Sequence, residues 1–413
     1  MHIPPALKHR RFFSLWLGLL ISIAGTQMQI WALFWHIRTL TDQPIALSGI
    51  GLARILPVIF FSLIGGALAD SYNRRTILFV TQSSAALLAL TLGLLTEFGH
   101  VTLWHIYALT ALQAVAVAFD GPARQALVPN LVPARDLPNA FSLTSIAFQA
   151  GSVIGPALSG LVIAYGGQEA VYYINAASFL AVIVALVLIG PVPQKVDQPN
   201  GGVSWSAIRE GIQFIVGKPI VLSSMLLDFV ATFFASANTL MPIIARDILH
   251  VGVVEYGWLS AAQSVGAVLA AVTISQIHEL RRQGPLLLAS VAVFGLATIV
   301  FGVSRSFALA WVALAVTGAA DAVSTIIRNT IRQLQTPDSL RGRMTSVNQI
   351  FFQGGPQLGE IEAGAAAQVF GAPFAIISGG IGCILGMIFI LRKWPQLLGY
   401  NGDEPVLAGA TAD

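Results

Sequence analysis

"GGALADSYNRRTIL" (residues 65–78) packs Asp70, Arg74 and Arg75 into six positions of a chain in which only 10% of 413 residues are charged and 55% are hydrophobic. A soluble domain carries about 25% charged residues. Long apolar runs flank the stretch, so its charges mark a tight polar loop between two membrane crossings. A hydrocarbon core about 30 Å thick takes roughly 20 apolar residues per helix, and this length then holds about twelve crossings with no room for a large soluble domain.

Windows of about 19 residues place the crossings near 12–37, 46–69, 76–96, 102–122, 138–164 and 169–190, then near 219–245, 254–277, 284–303, 307–330, 344–368 and 372–392. Lys8, Arg10 and Arg11 ahead of the first run resemble the start of a signal peptide, but the run continues without a small-residue cleavage site and reads as a retained crossing. The predicted organisation is a six-helix bundle over 1–190, a linker over 191–218, a second six-helix bundle over 219–394 and a disordered tail over 395–413. Within the linker Trp205, Ile208, Ile212 and Ile215 recur at helical spacing opposite Arg209 and Glu210, the pattern of a short helix lying on the membrane surface.

A single offset of 204 residues relates the two bundles. It superimposes Arg124 on Arg328, Pro133 on Pro337, Phe148 and Gln149 on Phe352 and Gln353, and Gly151, Gly155 and Gly160 on Gly355, Gly359 and Gly364. The expected fold is therefore all-α: twelve transmembrane helices in two six-helix bundles related by a parallel internal repeat, an arrangement of transporters. Of the 22 Lys and Arg residues, eighteen fall on the side of the N-terminus, Arg38, Arg246 and Arg305 on the other, and Arg54 alone inside a crossing. The positive-inside rule then sets both termini in the cytoplasm. A net charge of +3 scattered in twos and threes does not point to nucleic acid.

The opening stretch thus lies in the inner loop between crossings two and three. Gly65 and Gly66 allow close helix approach, Asp70 is placed to cap the next helix, and Arg74 and Arg75 to pair with acids or helix carbonyls. The spacing of Gly66, Leu68, Asp70, Arg74 and Arg75 resembles the G-x-L-A-D-R-x-G-R-R signature of the major facilitator superfamily. In that family the loop is a conformational latch between the halves. Ser71 replaces its usual basic residue and Asn73 its glycine, and Asn tolerates the positive φ of such a turn. "DGPARQALVPNLVPARDLPNAFSL" (120–143) and "QTPDSLRGRMTSV" (335–347), with weaker support from 218–242, are similar to the branch that contains enterobactin exporters and macrolide efflux proteins.

Charges within crossings cost roughly 2.5–3.5 kcal/mol each at mid-membrane and must face inward to partners. Arg54, Asp228, Asp321, Glu360 and Glu362 are the candidates for proton coupling or gating. In the resembled family helices two and eleven face each other across the boundary between halves, which makes Arg54 and Glu360 either an outer-gate pair that opens on protonation or a permanent ion pair. Glu362, about 200° around the helix, cannot share that partner. Asp321 is a proton carrier or a partner of Arg328 or Arg332, while Arg124 and Arg328 read as loop anchors. Helices one, four, seven and ten line the cavity in the resembled fold, which nominates Gln27, Trp31, Gln113, Phe234 and Asn238 as substrate contacts, the alternative for each being helix packing. Polar and aromatic groups mixed in this way suit a bulky amphiphilic organic molecule.

Other chemistries lack their residues. "GIQFIVGKP" (211–219) misses the phosphate-loop spacing and its Ser or Thr, and "GGIGCILG" (379–386) sits inside a crossing, where small residues serve packing. "HEL" (278–280) has no second His, no G-x-S-x-G turn occurs, and Cys383 is the lone cysteine. The reading is a non-enzymatic, cofactor-free and metal-free proton-coupled antiporter of the bacterial inner membrane. Its partners are a siderophore-like or drug-like organic substrate, protons and lipid, and it acts as a monomer. An importer or lipid transporter of the same fold is the alternative, with a receptor or intramembrane enzyme further off.

Overall fold

The computed structural model describes residues 4–192, 205–235, 237–277, 280–337 and 340–402, and the regular structure in them is entirely helical. In chain order the helices are α1 (Arg10–Leu40), α2 (Pro44–Ser71), α3 (Arg74–Glu97), α4 (Leu103–Leu127), α5 (Leu137–Ile189), α6 (Trp205–Gly217), α7 (Pro219–Phe234), α8 (Met241–Ile243), α9 (Val253–Ser275), α10 (Gln283–Val303), α11 (Phe307–Leu334), α12 (Arg341–Phe370) and α13 (Ala372–Lys393). Ten helical stretches among the described residues are long and apolar enough to cross a membrane. The chain divides into two units. The first comprises Met1–Asp42, Leu52–Gly202 and Gly252–Ala261, the second Gln43–Gly51, Val203–Val251 and Ala262–Asp413.

In the first unit α5 is the element that sequence length alone makes improbable. A straight helix of 53 residues would be about 80 Å long, far more than a bilayer. Gly167, at φ 74° and ψ 175°, interrupts it in a conformation that only glycine adopts freely. The two sides of this break run oppositely along α1. Gly151 lies at Ile23 and Ala24 and Gly155 at Gln27 and Met28, whereas Asn175 reaches Gln29, Ser178 faces Gly25 and Val182 faces Gly18. α5 is thus two antiparallel halves clasping α1, with Phe12, Leu15, Leu19, Val182 and Leu186 in one apolar core. The N-terminal segment is fastened to the start of α5: the Ala6 N–H donates to Asn139 Oδ1 (3.0 Å), and His9 Nε2 lies 2.8 Å from Asp136 Oδ2.

The second unit is held by glycines. A Cβ on Gly318 of α11 would fall on the backbone of Gln263 in α9, and one on Gly266 of α9 on that of Ala315 in α11. In α13, Gly379 and Gly382 admit Phe234, Gly380 meets Gly295 of α10, and Gly386 admits Val230. The "GGIGCILG" stretch therefore packs helices, because lipid offers no hydrophobic drive and contact area must come from close backbone approach. Residues 43–51 of α2 lie antiparallel along α12. The Ile45 N–H donates to Gln368 Oε1 (3.3 Å), Ser48 Oγ is within reach of the Glu360 and Ile361 carbonyls (3.1 and 3.3 Å), and Gly51 faces Gln357 and Glu360.

Three expectations change. Crossing seven, read as continuous over 219–245, breaks after Phe234 into a 3-10 turn (Ala237–Leu240), α8 and a π turn (Ile244–Ile248). The tail is not disordered from 395 onward: Pro395–Leu397 forms a 3-10 turn, Leu397 and Tyr400 are fully buried in the core of α7, α10 and α13, and Tyr400 O accepts from the Gly284 N–H (2.8 Å). Residues 403–413 lie outside the described part, as do 193–204 of the linker. The linker helix is α6, and it buries Ile215 against Met225 of α7 and Met344 and Val347 of α12, while Ile212 is exposed. The side chains of Trp205 and Ile208 lie outside the described residues.

Gly318→Ala is expected to lower stability by about 1–3 kcal/mol through overpacking, read as a lower Tm in detergent. Gly121→Ala, where no atom lies within 4 Å of the added Cβ, is expected to hold stability or to gain about 0.5–1 kcal/mol.

Candidate functional site

The second unit contains a charged cluster centred on a buried ion pair. Arg328 of α11 places Nη2 2.9 Å from Asp228 Oδ1 of α7, with side-chain exposures of 2% and 3%, and 3.4 Å from Asp321 Oδ1, whose side chain is 47% exposed. Its guanidinium also donates to Ser324 Oγ (2.7 Å) and Thr325 Oγ1 (2.8 Å). One turn later the buried Arg332 donates to Asn329 Oδ1 and to Asn348 Oδ1 of α12. Helical spacing explains the assembly, since 321, 324, 325, 328, 329 and 332 share one side of α11. Two guanidiniums and two carboxylates cancel when all are ionised. The sequence reading assigned Arg328 and Arg332 to the inner rim of the membrane by their position near a loop. Both lie inside α11 and are buried, Arg328 as the centre of the cluster and not as a loop anchor.

The first unit holds its own buried acid, which sequence reasoning passed over. Asp120 of α4 accepts from Thr81 Oγ1 (3.2 Å) and Gln82 Nε2 (2.7 Å) of α3 and pairs with Arg124 (2.8 Å) one turn on. The i, i+4 Asp and Arg in "DGPAR" were the available signal. His36, at the end of α1, is buried against Tyr172, with Nδ1 2.8 Å from the hydroxyl.

The remaining candidates separate. Glu360 is buried in α12 beside Ser48 and Gly51, with Oε2 3.1 Å from the position a Gly51 Cβ would take. Arg54 is half-buried one turn after Gly51, and Glu362 is half-buried on another side of α12. In the inner loop Arg74 Nη1 donates to Ala126 O (3.0 Å) and Asn130 Oδ1 (3.1 Å), and Arg75 Nε donates to Leu186 O (2.8 Å) with its guanidinium 5.0 Å above the Phe79 ring. Both arginines therefore bind carbonyls near helix C-termini, where a cation is favoured. The cap of α3 is Asn73, not Asp70. Asn73 Oδ1 accepts from the Arg75 and Thr76 N–H groups (3.0 and 3.3 Å) at φ −63°, so the expected positive φ is absent and an ordinary N-cap takes its place. Asp70 is in the last turn of α2; its side chain and the surroundings of Gly66 lie outside the described residues.

Of the nominated cavity residues, Gln27 donates to Ser152 Oγ (2.7 Å), and Trp31 is buried, its carbonyl accepting from the Tyr256 hydroxyl (2.9 Å). Gln113 accepts from Gln29 Nε2 (2.8 Å). Phe234 packs on α13, and Asn238, in the break after α7, has a buried Oδ1 with no hydrogen-bond partner among the described residues.

The family model for transmembrane secretion effectors matches residues 4–398. The enterobactin exporter EntS of Shigella boydii serotype 4 (strain Sb227) is 27% identical over 401 residues, covering 96% of this chain and 95% of that protein. EntS of Escherichia coli (strain SMS-3-5 / SECEC) is 27% identical over 351 residues, 84% of this chain and 83% of that protein. Among solved structures, a bacterial homolog of the human lysosomal transporter Spinster matches with a TM-score of 0.71 at 15% identity, covering 96% of this chain and 97% of the other. A POT family transporter matches with a TM-score of 0.72 at 14% identity, covering 95% and 97%.

Asp228→Ala removes the buried counter-charge of Arg328 and leaves it only the half-exposed Asp321, and is expected to cost about 3–5 kcal/mol. The double variant Asp228→Ala with Arg328→Met is expected to recover part of that loss. Thermal unfolding of the two purified variants in detergent checks the sign, because an isolated surface pair would show neither effect.

Proposed function

This chain belongs to the transmembrane secretion effector family of major facilitator transporters, and we propose that it is a proton-coupled antiporter that exports a siderophore-like or drug-like organic molecule across the bacterial inner membrane. The observation that carries the reading is the buried Asp228 and Arg328 pair joining α7 to α11. A guanidinium stays charged throughout. Protonation of Asp228 breaks its pair with Arg328 and the tie between α7 and α11, so a substrate that binds only the ionised, paired arrangement displaces the proton, and the two exclude each other through one carboxylate.

The proposal includes twelve crossings in two bundles of six, 1–190 and 219–394, with both termini cytoplasmic and the chain acting as a monomer. The break of α5 at Gly167 supports the count. The 204-residue repeat gains support from a parallel contact: Arg124 pairs with the residue four positions before it, Asp120, and Arg328 donates to the residue four before it, Ser324. Arg54 and Glu360 are proposed gating residues, and Glu360 is packed beside Gly51 of α2. Glu362 is a second proton-carrier candidate on α12. The Gly66 to Arg75 loop is the proposed latch, with Arg74 and Arg75 as its anchors. The likeness to the enterobactin exporters favours a catecholate siderophore as substrate.

The test is substrate-induced proton release from purified protein in weakly buffered detergent, with enterobactin and a macrolide as probes. Release by one compound, lost in Asp228→Asn and kept in Glu360→Gln and Glu362→Gln, is the expected result. Compounds that bind while no protons move at any pH would rule out antiport.

A further inference from the structure

Four neutral side chains in the first unit form a directional relay. Ser178 shares its hydroxyl proton between the Asn175 carbonyl (2.7 Å) and Asn175 Oδ1 (3.0 Å). Asn175 Nδ2 donates to Gln29 Oε1 (2.6 Å), and Gln29 Nε2 donates to Gln113 Oε1 (2.8 Å). The relay crosses from the second half of α5 through α1 to α4, and Gly25 makes room for it, since a Cβ there would strike Ser178 and Asn175. Ser178, Asn175 and Gln29 are buried, and Gln113, at the end, is half-buried.

Each member accepts at oxygen and passes a proton donor onward, so the last free group is the Gln113 Nε2 amine, which has no partner among the described residues. Rotating the Gln113 amide would set its N–H groups against those of Gln29, an arrangement the low-polarity interior penalises. Gln113 is thereby held as a donor. One turn earlier on α4, Thr110 Oγ1 is buried with no hydrogen-bond partner among the described residues.

We propose that Gln113 is a specificity-determining donor of this transporter, recognising an acceptor oxygen of the substrate such as a carbonyl, carboxylate or catechol oxygen, and that the buried relay fixes that polarity. The inference rests on the transporter reading above and on no part of its proton coupling. Gln113→Glu keeps the acceptor for Gln29 and removes the donor.

The experiment measures binding of enterobactin and of a macrolide to purified full-length protein by quenching of tryptophan fluorescence, with Tm recorded for each variant. Gln113→Glu is expected to weaken binding at least tenfold for whichever probe the wild type takes, with little change in Tm. If the glutamate variant does not fold, Gln113→Met, neutral and of similar length, carries the same comparison. Unchanged affinity in Gln113→Glu or Gln113→Met overturns the assignment, as does failure of the wild type to bind either acceptor-rich probe. A tenfold loss without any proton release leaves the relay standing and removes antiport.

Discussion

A cation that cannot shed its charge has been placed at Arg328 among helices, and the second unit is arranged around the demand this creates. α11 supplies hydroxyls at Ser324 and Thr325, α7 supplies Asp228, and α12 reaches the neighbouring Arg332 through Asn348. These contacts fix how α7, α11 and α12 are turned about their axes. The other helices then close on them through glycine: α13 on α7 at Gly379 and Gly382, α10 on α13 at Gly295 and Gly380, α9 on α11 at Gly266 and Gly318. Polar contacts set orientation and small residues set distance, as expected where lipid gives helices no hydrophobic reason to associate.

The two units answer the same problem differently. In the first, Arg124 finds its acid, Asp120, on its own helix, and the bonds between α1, α4 and α5 are made by neutral amides. In the second, a serine stands at the equivalent place, Ser324, and the counter-charge comes from another helix, α7. An acid on the same helix travels with its arginine when helices move. An acid on a different helix ties the pair's geometry to helix movement.

Much of the architecture is legible in the sequence because its cause is local. Apolar runs of membrane length, the gap between the crossings near 138–164 and 169–190 and the small residues of 379–386 each follow from spacing alone. The ions are less legible. Counting Lys and Arg by distance from a loop assigned Arg328 and Arg332 to the membrane rim, yet a guanidinium six or two residues before a helix end can be wholly buried when an acid on another helix awaits it. Asp120 was overlooked because its neighbours read as a loop motif. Gln29 gave no signal, since one glutamine in an apolar helix carries no period. The cap at Asn73 and the anchored Tyr400 depended on three-dimensional partners, a helix start and a core pocket, that composition does not display.

Each terminus is clipped into the unit it adjoins. Ala6 and His9 bind the start of α5, whereas Leu397 and Tyr400 fill the core beside α10. During synthesis these clips close at opposite times. The clip of the first unit needs only Asp136 and Asn139, which are made before any of the helices α6 to α13. The clip of the second unit needs Leu397 and Tyr400, which follow α13 in the chain. A chain cut short after α13 would lack Leu397 and Tyr400 and leave that core unfilled.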